Sequence, residues 1–148
     1  MRSLDIREVT EENEEDVIEV LKKIGKKSQD FPFFREGSQS NSLLTATLYE
    51  NNKGVACGHL ETRNKIAWLK IISTKAKEEE FNYLMIKYFL EESEKMEIDE
   101  IRLSIFKSQE TIIKIYEDFD FRKHSEKGKK ILLRRVKNEH SSNRLQQL

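Results

Sequence analysis

The chain has 148 residues, of which 36% are charged, with 27 Lys plus Arg balancing 27 Asp plus Glu. That length fits one domain with a core of its own, and the charge balance excludes a global pull toward nucleic acid or an acidic membrane. A single cysteine, Cys57, excludes an internal disulfide framework and any multi-cysteine zinc site.

The N-terminus lacks the apolar core of a signal peptide, and no run approaches the roughly 18 apolar residues of a membrane span. The expectation is a cytoplasmic protein with no membrane or nucleic-acid partner. Charge is uneven along the chain. Glu8 to Glu19 is acidic and Arg122 to Lys137 is basic, which reads as two solvated faces.

Leu4 to Val9 alternates apolar and polar residues and predicts a strand. Asn13, with Asp16 three residues on, predicts a helix start. Val17, Val20, Leu21 and Ile24 then recur at helical spacing, giving a helix over residues 14–25. Residues 28–41 read as a loop. Phe31, Phe33 and Phe34 there need a hydrophobic contact, either capping the core or lining a substrate cleft. Leu43 to Tyr49, Val55 to Glu61 and Ile66 to Ile72 read as three antiparallel strands, turning at Asn51-Asn52-Lys53-Gly54 and Arg63-Asn64-Lys65.

Phe81, Leu84, Met85, Tyr88 and Phe89 follow the i, i+3, i+4, i+7, i+8 pattern of a helix over residues 79–95. Ile101, Leu103 and Ile105 mark a fourth long strand. Ser108 is the expected cap of a helix whose inner face is Ile112, Ile115, Tyr116 and Phe119. Strands over 121–124 and 130–136 follow, joined by a turn at Ser125-Glu126-Lys127-Gly128. The order β-α-β-β-β-α-β-α-β-β predicts an α+β fold, a central mixed sheet flanked by helices. Residues 1–137 are expected to form one domain, and residues 138–148, poor in apolar side chains, a disordered tail.

This order resembles the GNAT (Gcn5-related N-acetyltransferase) superfamily over residues 4–136. Val55-Ala56-Cys57-Gly58-His59-Leu60 is similar to the family's third strand. Gln109, Ile112, Tyr116, Asp120 and Phe121 keep the spacing of its late helix, with Gln, Ile and Asp standing for Asn, a small residue and Gly. The resemblance implies that the strands at 66–72 and 101–106 run parallel, splay apart and admit the pantetheine arm of acetyl-CoA or another acyl-CoA. The backbone of Leu69, Lys70 and Ile71 would hold the arm, with Gln109 nearby.

The resemblance also implies acyl transfer to an amine of a small molecule or protein, with Tyr116 as general acid to the leaving thiolate. Glu61 and His59 are candidate bases or, equally, solvent-facing strand residues. Cys57 reads as a small buried hydrophobe, no metal is expected, and a homodimer is possible through the C-terminal hairpin. The family's diphosphate loop carries a basic residue and two glycines. Here those positions fall on Ala76, Glu79 and Phe81, in a segment from Ser73 to Glu80 that holds no glycine. Lys75 and Lys77 are its candidate phosphate contacts. This departure leaves a second reading open, a non-catalytic GNAT-like binding or regulatory module that has lost acetyl-CoA.

Overall fold

The computed structural model describes residues 3–27, 42–74 and 76–137. The expected loop at 28–41 and tail at 138–148 lie outside them, as does Lys75. Seven strands and three helices follow one another as β1 (Leu4–Glu8), α1 (Glu14–Lys23), β2 (Ser42–Glu50), β3 (Lys53–Arg63), β4 (Ile66–Ser73), α2 (Glu78–Ser93), β5 (Glu100–Phe106), α3 (Glu110–Asp118), β6 (Arg122–Lys127) and β7 (Lys130–Val136). The strands form one mixed sheet in the order β1-β2-β3-β4-β5-β7-β6. Only the β4–β5 pair is parallel, and α2 makes the crossover between them. The α+β expectation and its element order hold.

Alternation along the strands sorts side chains onto two faces. Leu44, Ala46, Leu48, Ala56, Leu60, Ala67, Leu69, Ile101, Leu103 and Ile105 meet Phe81, Met85, Ile86 and Phe89 of α2 and Ile112 and Tyr116 of α3 in the main core. On the other face α1 lays Val17, Val20 and Leu21 against Cys57 and Ile72. The Tyr49 hydroxyl donates to Asp16 Oδ2 at 2.6 Å and fixes the start of α1 on β2. Burial, then the Asp16 bond, pushes the Tyr49 hydroxyl up to about 12, and burial does the same to the Cys57 thiol.

Both groups are acids that stay protonated longer in the folded state. Their contribution is complete below the unfolded values of roughly 8.5 for Cys and 10 for Tyr, and it is lost as pH rises toward 12. Tyr49→Phe is expected to cost about 1–2 kcal/mol at neutral pH and to flatten the decline between pH 10 and 12. Urea unfolding across pH checks both effects.

Element ends differ from the sequence expectations for local reasons. Asn13 sits at the N-cap of α1 without a side-chain cap, because its side chain accepts from Thr10 N–H and donates to Glu8 O. That helix stops at Lys23, where Gly25 takes φ +73°. The helix α3 starts after Gln109 rather than Ser108, since Gln109 N–H bonds Phe106 O and closes a turn first. The last hairpin turns at Gly128, φ +60°, because pairing with β7 carries β6 on to Lys127. Phe121 precedes that strand and is fully buried.

Candidate active site

The strands β4 and β5 pair only through Ile66–Glu100, Ala67–Ile101 and Trp68–Arg102. Beyond Trp68 they part, while β4 stays bound to β3 as far as Ser73 and β5 stays bound to β7 as far as Phe106. Thr74 N–H bonds Val55 O at 3.0 Å. The two-residue alternation of an antiparallel ladder then turns the N–H and C=O of Leu69 and Ile71 away from β3 and into the gap. The wedge therefore has an open backbone edge at Leu69 and Ile71.

A cleft of about 570 Å³ fills this wedge and reaches both sheet faces. From the α2 and α3 side it meets Asn82, Gln109, Ile112 and Tyr116. From the other side it meets His59, Trp68, Lys70, Phe106 and Lys130. Tyr116 is 3% exposed and stacks edge-on against Phe121 at 5.2 Å. Among the described residues its hydroxyl makes no hydrogen bond, and burial raises its pKa far above the ordinary tyrosine value. It is therefore a protonated side chain in the wall of the cleft. The helix holding it ends where Asp120 takes φ +70° and Phe121 N–H returns to Tyr116 O at 3.1 Å. This left-handed C′ position ordinarily favours glycine.

The other expected site residues fall into three groups. His59, 8% exposed, lies in the middle of β3 opposite Lys70, neither at the strand's end nor facing solvent. It lines the cleft with Leu69, Lys70, Ile71, Gln109 and Tyr116. Glu61 does not line it. Its register partner is Trp68, where β4 is still closed against β5, and its carboxylate lies 3.8 Å from Arg63. Lys77 borders a neighbouring groove, with its ammonium 3.2 Å from Glu50.

Asn82 escaped the sequence reading. It is buried on the inner face of α2, where its Nδ2 donates to Glu78 O at 2.8 Å and Ser73 Oγ at 3.4 Å. A single polar residue beside Phe81 on an apolar helix face was the available signal. Trp68 and Phe106, 38% and 49% exposed, were also missed, being read only as alternating strand residues. Arg102 lies over the Trp68 ring and Lys130 over the Phe106 ring, at 5.9 and 5.0 Å.

The wedge suits an extended amide-bearing arm, because Leu69 and Ile71 can pair with it as a further strand would. The next segment does not suit a diphosphate by side-chain chemistry. Glu79 and Phe81, at the family's glycine positions, are inside α2, and its first turn holds Glu78, Glu79 and Glu80. Lys77 adopts a left-handed conformation there, φ 58°. Among the described residues no cluster of three or more His, Cys, Asp or Glu could hold a metal, and no helix is long and apolar enough to cross a membrane.

No family model and no curated protein matches the chain. Solved structures do. A GNAT-family acetyltransferase from Streptococcus pneumoniae is similar at TM-score 0.71 and 16% identity, over 90% of this chain and 99% of that one. The PaiA N-acetyltransferase of Thermoplasma acidophilum, in complex with coenzyme A, gives 0.70 and 17%, over 90% and 99%. Campylobacter jejuni N-acetyltransferase PseH, in complex with acetyl coenzyme A, gives 0.60 and 14%, over 92% and 100%. The chain has the GNAT fold, in a sequence far diverged from these proteins.

Proposed function

We propose that this domain transfers an acyl group from a pantetheine thioester to an amine of a small molecule or protein. The observation that carries the reading is the wedge between β4 and β5, where the open backbone edge of Leu69 and Ile71 and the Tyr116 hydroxyl meet in one cleft. An acyl-CoA or related donor would supply the activated acyl carbonyl. The Leu69 and Ile71 backbone aligns the arm. His59, on the opposite side of the cleft, would take a proton from the acceptor amine. The C–N bond forms as the C–S bond breaks, and Tyr116 Oη–H protonates the departing sulfur. The aromatic faces of Trp68 and Phe106 border the mouth through which an acceptor would enter.

The carboxylates of Glu78, Glu79 and Glu80 favour a second reading, a non-catalytic GNAT-like binding or regulatory module that has lost acetyl-CoA binding. Titration with acetyl-pantetheine separates the two. At a hundredfold excess over its Kd the donor should stabilise the fold by about 2.7 kcal/mol, and an added amine should become acylated. An unchanged melting temperature at millimolar donor would contradict acyl transfer. Stabilisation without turnover over a panel of amines would favour the module.

A further inference from the structure

Where the arm would leave the cleft, the walls change character. Glu78 borders both the cleft and a shallow groove of about 710 Å³ between the start of α2 and α3. That groove is lined by Lys77, Glu78, Glu79, Glu80 and Ile115. A ligand extending from the cleft into this groove would meet three carboxylates on one helical turn. The side chains already supply the negative charge that a helix N-terminus favours. A diphosphate would add like charge beside them, which is repulsive. Among the described residues the cation lining the groove is Lys77, held by Glu50 at 3.2 Å.

The turn there is also built of full side chains. Asn82 joins Glu78 O to Ser73 Oγ, and Phe81 is buried in the main core. A phosphate would have to approach a turn carrying full side chains, without the close backbone access that glycine provides. The inner end of the cleft nonetheless keeps Tyr116, whose hydroxyl has no protein partner among the described residues.

We propose that the wedge is specific for an acyl-pantetheine thioester lacking the diphosphate, and that Glu78 and Glu79 discriminate against coenzyme A thioesters. This proposal rests on the acyl-transfer reading and assigns its donor class. Bond changes are those already given: the acyl carbon exchanges sulfur for the amine nitrogen, and free pantetheine leaves as the thiol.

The test is a calorimetric comparison of acetyl-pantetheine, acetyl-4′-phosphopantetheine and acetyl-CoA on the purified domain. Affinity is expected to fall in that order, with at least tenfold between the first and the last. In the Glu79→Gln variant, at an exposed position that lines the groove and not the cleft, that gap should narrow at least threefold while acetyl-pantetheine binding stays unchanged, which also shows that the variant is folded. Acetyl-CoA binding as tightly as acetyl-pantetheine to the wild type, or a gap unaltered in the variant, would overturn the donor assignment and leave acyl transfer standing. Failure of all three donors to bind would overturn the acyl-transfer reading itself. If that variant melts early, raised ionic strength should still narrow the gap in the wild type, since salt screens the repulsion.

Discussion

Gly58→Ala is expected to destabilise the domain by about 2 kcal/mol, within the usual range for overpacking a core. A Cβ at Gly58 would lie 2.7 Å from the Lys70 carbonyl oxygen and 2.8 Å from Phe89 Cε2. The first of these atoms is backbone in the neighbouring strand and cannot rotate away. Relief requires β4 to shift against β3, or Phe89, which is fully buried, to leave its place under the sheet. Alanine's lower unfolded-state entropy offsets part of the cost. For a domain of this size the loss corresponds to about 4–8 °C in Tm. The shift falls on the strand that carries Leu69 and Ile71, so acetyl-pantetheine should also bind more weakly. Urea unfolding and a donor titration measure the two effects. A variant as stable as the wild type would mean that the sheet yields more easily here than the close approach implies.

Tyr116→Phe is expected to lower kcat by about 100-fold, the lower end of what a positioned acid contributes, while leaving KM for the donor nearly unchanged. The reason lies in its hydrogen bonding. The hydroxyl has no protein partner among the described residues, so its removal breaks no internal bond. Stability should therefore be unchanged or slightly increased. A tyrosine serving only the core would give the same stability and an unaltered rate. A loss of stability together with donor affinity would instead mark it as packing that shapes the wedge.

Much of the fold was legible because α1, α2, α3, β4 and β5 each bury one face. The alternation of Ile101, Leu103 and Ile105 and the helical repeat from Phe81 to Phe89 are local signals, and those elements lie where the patterns put them. Tyr116 and Phe121 were legible through their spacing, and Asp120 shows why that position normally holds glycine: the backbone turns left-handed there. What stayed hidden depends on register between strands. His59 and Glu61 point to the same sheet face and look equivalent in sequence. Only the point at which β4 leaves β5 separates them, since His59 lies opposite Lys70, past the last pair, and Glu61 opposite Trp68, at it. The role of Asn82 was hidden because it depends on how α2 seats against Ser73. The glycine-free segment was plain in the sequence. Its consequence needed the structure, which makes its glutamates the first turn of α2 and the wall of the adjoining groove.

The claim on which the account turns is that the open edge of β4 receives the pantetheine arm. Amide hydrogen exchange of the whole domain, with and without saturating acetyl-pantetheine, tests it residue by residue. The account predicts that the N–H groups of Leu69 and Ile71, which point into the wedge, become strongly protected when the donor binds. Those of Lys70 and Ile72, already bonded to β3, should change little. Protection that leaves Leu69 and Ile71 untouched, or donor binding mapped to another surface, would contradict it.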